Sequence, residues 1–495
     1  MDSLGDTLWD VVICGTGLQQ SLLALSLSRS SKSILHIDPN NYYGGADAAF
    51  SLQEAESWAS SIAAGTDNDR GTFKSASTTK PDGNTGLSFP RAYSLALSPQ
   101  LIHARSKLLS QLVSSRAYRQ VEFLAVGSFF IFKPSTSSGQ KPSLVRIPST
   151  REDVFSTTAI PTKAKRGLMK FLKFVLNYDS EQRLATWQPY ADGPLTDFLQ
   201  WEFKMDAELQ TYILTLTLSL DGLITTRDGL STIYRHLTSM GVFGPGFAAV
   251  YPKWGGISEI AQVACRAGAV GGAVYMLATG IQEIETSGDN IELRLTSGDK
   301  VKTRLLVRND ENAEVGNGVS RLAAVVGSPL KPLFEALVEG APLPAVAVIS
   351  FPAGSLLTTA GKAYGYPVYV FAHSSDTGEC PVGQSVLYLT TLTTPDSKEI
   401  LTQSLQLLSE VIDADHLPPS LFQLYHEHGR GSVASRPDGS TFNFPDASLS
   451  LLFDDSTLEP VHEAWKQVMG ETAVDTDYMT FPDREGIMDV EDMYD

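Results

Sequence analysis

The chain has 495 residues, 42% of them hydrophobic, with a formal net charge of -18 and a pI near 4.9. That length and apolar content supply a large core and predict two or three domains, which excludes a disordered protein. The acidic balance excludes a nucleic-acid binder, which needs a basic face to displace counterions from phosphates. Three cysteines, Cys14, Cys265 and Cys380, are too few and too scattered for a disulfide framework, and the acidic start "MDSLGDTLWD" lacks the basic and then apolar pattern of a signal peptide. No apolar run approaches the roughly 20 residues of a membrane span, and the terminal "VEDMYD" holds no prenylation box. The expectation is a soluble cytosolic protein that reaches membranes only transiently, through a partner or cargo.

In chain order, "LWDVVIC" (8–14) reads as a strand, "LQQSLLALSLSR" (18–29) has helical spacing, and "SILHID" (33–38) is a second strand. This is a βαβ opening. Between strand and helix stand Gly15 and Gly17, the first two glycines of a dinucleotide fingerprint, but Gln20 occupies the third glycine position. A side chain there pushes the helix away or fills ligand space, so the residues argue against a bound dinucleotide even though Asp38 stands where a ribose-binding acid belongs. Residues 63–86 are rich in Gly, Ser, Thr and Asp and predict a mobile loop, with a shorter one at 133–143. From about 160 to 222 the pattern turns helical. Residues 281–307 read as a three-stranded meander with turns at SGDN and SGDK, and residues 308–320 as a loop. The last third mixes strands such as "PAVAVISF" and "YPVYVFA" with helices. No internal repeat is present. The predicted architecture is mixed α/β: a flavoprotein-like domain over 1–155 and 226–471, a small all-helical domain at 156–225, and an acidic tail at 472–495.

The segment after the second strand, "DPNNYYGGADAAFSL" (38–52), carries paired tyrosines and glycines with no evident phosphate contact. Here, and again at "LMKFLKFVLNYD" (168–179), "DGLSTIYRHL" (228–237) and "YPKWGGISEIAQVACRAGAVGGAVYML" (251–277), the sequence resembles the GDI/Rab escort protein superfamily. That resemblance implies a flavoprotein-like fold without a cofactor and binding of Rab GTPases in the GDP state. It implies Tyr43 as a Rab contact. It also matches a spaced set in the family, a Glu, a Gln three residues on, an Arg four beyond that and a Met ten further, with Glu259, Gln262, Arg266 and Met276. The alignment needs one extra residue in "KWGGIS". Independently, positions i, i+3 and i+7 put Glu259, Gln262 and Arg266 on one helix face, where an acceptor and a five-donor guanidinium fork suit a partner's polar groups.

Three stretches look more like the escort branch than the GDI branch: "AAFSLQEAESWA", "VRIPSTREDVFSTTAIPTKAKRGLMKFLKF" and "TTRDGLSTIYRHL". The escort branch presents unprenylated Rab to the α/β geranylgeranyltransferase heterodimer and delivers the lipidated product; the GDI branch recycles prenylated Rab. The long acidic insertions of larger escort proteins are missing here. At 100° per residue, Leu168, Phe171, Leu172, Val175 and Leu176 share an apolar arc opposite Lys170 and Lys173, with Phe174 at the edge of the lysine face. The resemblance implies a transferase contact through a Phe and a following Arg, for which Phe174 and Arg183 are the candidates. The geranylgeranyl group needs shelter worth on the order of 10 kcal/mol, at about 0.8 kcal/mol per buried methylene. Leu168, Phe171, Leu172 and residues of "YILTLTLSL" (212–220) are candidate groove residues. No metal-ligand spacing and no nucleophile elbow appears, and Cys265 reads as a small buried residue, so a non-catalytic accessory role is expected. A flavin oxidoreductase and a Rab-recycling inhibitor remain the alternatives.

Overall fold

The computed structural model describes residues 4–65, 72–81, 86–135, 141–148, 161–287, 290–309, 316–336, 342–412, 420–430, 439–445 and 448–482. The first apolar run is not one strand. Asp10 interrupts it, because its carboxylate accepts hydrogen bonds from Ser33 N at 2.8 Å and from Arg304 Nη1 at 2.7 Å. Leu8–Trp9 therefore pairs with Lys300–Thr303, while Val11–Cys14 enters a five-stranded parallel sheet. That sheet has the order Val274–Met276, Ile34–Ile37, Val11–Cys14, Leu306–Asn309, Thr441–Phe444.

Because parallel strands are covered on both faces, Val11–Cys14 reads as an unbroken apolar run and Ile34–Ile37 is buried throughout, with His36 accommodated by the Gly15 carbonyl 2.6 Å from its Nε2. One face packs on the helices Leu18–Leu27, Ile257–Val270 and Leu458–Met469 through Val11, Ile13, Leu22, Ile260 and Val461. The other packs Val12, Leu35 and Leu306 on Ile291, Leu293 and Val301 of a four-stranded sheet. The expected meander, Ile281–Ser287, Asn290–Leu295 and Lys300–Thr303, forms that layer, and the chain then crosses back to the parallel sheet. The Leu18–Leu27 helix is buried all round; Ser21 and Ser26 are tolerated there because each hydroxyl donates to a nearby backbone carbonyl.

A larger sheet runs Phe73–Thr79, Phe422–Arg430, Gly316–Val326, Ser385–Leu392, Val368–Ser374, Val346–Phe351, Phe123–Lys133, Ala249–Pro252, Ile102–His103. Two expected loops are shortened by it. Within 63–86, Phe73–Thr79 is an edge strand anchored by Phe73 and Ala76; residues 66–71 and 82–85 lie outside the described residues. Within 308–320, Gly316–Ser320 already belongs to a long strand, and 310–315 lie outside the description. Residues 136–140 of the expected 133–143 loop are likewise outside it, between the two strands of a hairpin.

From that hairpin, Ile131 and Ile147 enter the core of a helical unit built from Thr162–Val175, Glu181–Trp187, Leu195–Phe203, Ala207–Thr217 and Thr226–Ser239. Its centre is Phe171, Val175, Leu195, Phe198 and Ile233. The acidic tail is packed at its beginning: Met479 is 1% exposed and Phe481 N donates to Ser114 O, whereas 483–495 lie outside the described residues.

Candidate functional site

The glycine turn is occupied by the protein's own atoms. Gly15 has φ +96°, and Gln20, 3% exposed, lies against both glycines. A Cβ added to Gly17 would stand 3.1 Å from Gln20 Oε1, and one on Gly15 would stand 3.5 Å from its Nε2. Gln20 Nε2 donates to Asn309 Oδ1. Asp38 is 1% exposed and faces inward: its carboxylate accepts from Thr16 Oγ1 at 2.6 Å and from Asn40 N at 2.7 Å. Gly44 N donates to the same Thr16 hydroxyl at 3.0 Å. Burial raises the Asp38 pKa against the pull of these hydrogen bonds. The acid that would hold a ribose instead ties the 38–45 loop down across the turn, where Gly44 and Gly45 close on Gly17. These residues do not fit a dinucleotide.

The same loop builds an outward surface. Asp38 N donates to Met276 O at 2.9 Å, Ala278 N to Asn40 O at 2.8 Å, and Thr279 N to Asp38 O at 2.7 Å, so the loop rides on the end of the Val274–Met276 strand. Tyr42 turns inward onto Phe50, with ring centroids 4.9 Å apart. Tyr43 turns outward, half-buried, with its ring 6.4 Å from that of Tyr275. Burial raises its phenol pKa, helped by Cys265 and Asp38.

The helix Ile257–Val270 sends Ile260, Ala264 and Cys265 into the core. Cys265 Sγ lies 3.2 Å from Ser21 Oγ, and burial pushes its thiol up to about 11, so it is a packing residue. Glu259, Gln262 and Arg266 face out: the first two are half-buried and the arginine is exposed. Burial raises the Glu259 pKa while Arg266 pulls it back. Gln262 Nε2 donates to Ser258 Oγ at 3.2 Å, and Arg266 Nη1 reaches Gln120 Oε1 at 3.5 Å. Tyr43 and the three helix residues lie on the helix side of the parallel sheet, whereas half-buried Met276 packs toward the core that holds Leu35 and Ile37, on the other face of that sheet.

Sequence reasoning missed what lies beneath the helix start. Glu379, 0% exposed, accepts from Tyr251 OH at 2.9 Å and Tyr388 OH at 3.1 Å, and its Oε2 is 2.6 Å from His373 Nδ1. Burial and the Glu379 charge drive both phenols far above their ordinary pKa. Tyr251 abuts Gly256, where an added Cβ would sit 2.7 Å from the phenol oxygen, so this network braces the start of the helix. Only Tyr251 lies near the recognised helix in sequence; His373, Glu379 and Tyr388 are more than 100 residues away, and no local spacing links them.

In the helical unit the placement of Phe174 needs correction. It is 3% exposed rather than at the edge of a surface, with Phe198 and Phe203 rings at 5.8 and 5.4 Å. The Leu195–Phe203 helix covers that side of Thr162–Val175, so single-helix periodicity mistook a second buried face for a rim. Arg183 is exposed, with its guanidinium carbon 5.4 Å from the Phe174 ring centroid. Leu176, expected in the apolar arc, is 47% exposed at the helix end. Leu168 and Phe171 are core, and Leu172 is half-buried against it. None of these three lines the cavity of about 410 Å³ between the helical unit and the α/β domain, whose walls include His103, Leu218, Leu220, Ile224, Arg235 and Phe453. The end of the 212–220 segment does reach it.

Among the described residues no group of His, Cys, Asp or Glu is arranged to hold a metal, and no helix is long and apolar enough to cross a membrane. The fold matches that of a Rab GDI from Plasmodium falciparum, with TM-score 0.67 and 17% identity over 94% of this chain and 99% of that one. It also matches an oxidoreductase from Methanosarcina mazei, with TM-score 0.56 and 12% identity over 92% and 99%. At such identities the likeness is one of fold: a flavoprotein-type domain.

In sequence, the chain is 30% identical to the Rab proteins geranylgeranyltransferase component A of Saccharomyces cerevisiae over 390 residues, 77% of this chain and 61% of that protein. It therefore spans less than two thirds of that relative's length. It is 26% identical to an uncharacterized Rab geranylgeranyltransferase of Schizosaccharomyces pombe over 98% of both, and 25% identical to the Saccharomyces cerevisiae Rab GDP-dissociation inhibitor over 56% of this chain and 58% of that one. The family described as GDP dissociation inhibitor matches residues 5–328. With most of the chain inside that match and the fold agreeing, the chain belongs to the GDP dissociation inhibitor family.

Proposed function

We propose that this chain escorts Rab GTPases through geranylgeranylation: it binds unprenylated, GDP-bound Rab, presents it to the α/β transferase heterodimer, and carries the lipidated product to membranes. It works from the cytosol as a non-catalytic accessory subunit. The observation that carries the reading is the outward placement of Glu259, Gln262 and Arg266 on one helix face beside half-buried Tyr43, on a fold whose nucleotide turn is filled by Gln20 and the 38–45 loop. An exposed guanidinium beside a half-buried carboxylate offers donors and an acceptor to a partner's polar groups, and Tyr43 offers aromatic contact beside them; Met276, the remaining family-matched position, would contribute from the adjoining strand end. The escort role, rather than recycling alone, is supported by the greater identity to the component A relative than to the GDP-dissociation inhibitor, over a longer stretch.

The helical unit supplies the other two tasks in this proposal. Arg183, held over the Phe174 ring, marks the transferase-facing side. The core around Leu168, Phe171 and Leu172 parts to shelter the prenyl chain, since it is the apolar volume that amphipathic helices can open.

The test is a titration of GDP-bound, unprenylated Rab into the wild type, Tyr43→Ala and Arg266→Ala. Each variant should lose at least about fivefold in affinity, corresponding to roughly 1 kcal/mol at an interface centre, with unchanged melting. Wild-type affinity in both variants would remove this surface from Rab binding. Binding of prenylated Rab alone would make the chain a recycling inhibitor.

A further inference from the structure

Three consecutive residues before the Ile257–Val270 helix have left-handed backbone: Trp254 at φ +64°, Gly255 at +118° and Gly256 at +67°. The two glycines are required sterically, since a Cβ would stand 2.5 Å from Ala49 Cβ at Gly255 and 2.7 Å from Tyr251 OH at Gly256. Tryptophan at such a φ is strained, and glycine would serve the turn better.

The strain is held in place from three directions. Trp254 N donates to Thr377 O at 2.8 Å, and Ser94 Oγ donates to Trp254 O at 3.0 Å. The pyrrole edge of the indole lies on the Gly378 backbone, where an added Cβ would meet Cδ1 at 2.2 Å. Lys253 Nζ lies 4.8 Å from the ring centroid and is itself tied to Glu122 Oε2 at 2.9 Å. The Glu379 carboxylate network fixes Tyr251 and the 378–379 turn below. Despite all this support the side chain is 48% exposed. The pyrrole edge faces the protein and the six-membered edge faces solvent.

Its position says what the ring is for. The helix bearing Glu259, Gln262 and Arg266 begins three residues later, and Gly255 abuts Ala49, just beyond the 38–45 loop. We propose that Trp254 is the apolar anchor of this surface, its outward edge taking an apolar side chain of the bound Rab GTPase next to the polar contacts of the helix. This rests on the Rab-binding reading above. A rigid, pre-positioned indole loses little conformational freedom on binding, and tryptophan is enriched among residues that dominate interface energy.

Two measurements test it. In the first, Rab is titrated into the wild type, Arg266→Ala and Trp254→Ala, with thermal melting of each. Trp254→Ala should lose on the order of tenfold in affinity while melting like the wild type. If the wild type binds no Rab, the underlying reading fails and the anchor with it. If Arg266→Ala weakens binding and Trp254→Ala does not, the surface stands and the anchor is overturned.

The second keeps the side chain, and decides the matter if Trp254→Ala does not fold. Trp9, Trp58, Trp187 and Trp465 are at most 6% exposed, so Trp201 and Trp254 are the solvent-facing indoles. In a Trp201→Phe chain labelled with 5-fluorotryptophan, the exposed fluorine resonance belongs to Trp254. Unlabelled Rab should shift it and abolish its sensitivity to exchange of water for deuterium oxide. A resonance unmoved at saturating Rab would overturn the proposal.

Discussion

Phe174→Ala should unfold the helical unit rather than silence a contact. The ring is 3% exposed and wedged between Phe198 and Phe203, with Arg183 above it. Truncating a buried phenylalanine costs about 3–5 kcal/mol, the transfer of the ring plus the cavity left behind. Loss of the Arg183 cation–π contact adds no more than about 1 kcal/mol at an exposed site. With a urea m-value of about 1–3 kcal/mol per molar, the transition should fall by about 1 M or more. Trp187, 5% exposed in the same core and 5.8 Å from the Tyr178 ring, reports the unit directly by fluorescence. Phe174→Leu, which keeps most of the volume, should recover most of the loss. A Phe174→Ala chain that unfolds at the wild-type urea concentration, yet no longer binds prenyl-diphosphate-loaded transferase, would refute the packing argument and return the ring to an interface.

Other outcomes follow from the same geometry. His36, His103, His236, His426 and His428 are buried, and burial, the largest cause in each case, lowers all their pKa values; His36 and His236 come to about 4 and His426 to about 3. They stay neutral in the fold but protonate in the unfolded chain below about pH 6.5, so each removes about 1.4 kcal/mol of stability per pH unit as pH falls from there toward its folded value. Asp47, raised to about 6 by burial, works the other way, as do Asp38 and Glu259, whose pKa values burial also raises, but these three are outnumbered by the five histidines. The urea midpoint should therefore drop between pH 7 and pH 5, and a flat profile would contradict neutral burial of these rings. Gly44→Ala places a Cβ 2.9 Å from Ala48 Cα at φ +101°, which should destabilise by about 1–3 kcal/mol and weaken Rab binding through its neighbour Tyr43; calorimetry and titration report the two effects separately. Glu379→Gln turns one acceptor into a donor facing Tyr251, Tyr388 and His373, and should cost about 1–3 kcal/mol in chemical denaturation; an unchanged midpoint would mean the network does not brace the turn.

Much of the fold was legible where its determinants are local. The βαβ opening showed in contiguous apolar runs and two glycines, and the helix carrying Glu259, Gln262 and Arg266 showed in a spacing that survives intact in three dimensions. Phe73–Thr79 was not legible, because an edge strand buries little more than Phe73 and Ala76, and its remaining residues have the composition of a loop. The break at Asp10 depends on Ser33 and Arg304, the second of them nearly 300 residues away. Phe174 was misplaced because helical periodicity describes one helix against one core, and this helix is enclosed on a second side. The Glu379 network is invisible for a related reason: Tyr251 and the 373–388 segment that holds His373, Glu379 and Tyr388 are more than 100 residues apart and meet only when the large sheet forms. Met479 and Phe481 were hidden within an acidic composition that sets the average character of the tail but not the burial of two side chains.

An escort role requires that this chain enable prenylation of Rab rather than only hold its product. The most direct measurement combines GDP-bound Rab, the transferase heterodimer and radiolabelled geranylgeranyl diphosphate, with and without the chain, and counts label incorporated into Rab. Escort activity predicts incorporation that depends on the chain and falls in Arg266→Ala. Label that enters Rab equally well without the chain, or that fails to enter when the chain is present, would contradict it.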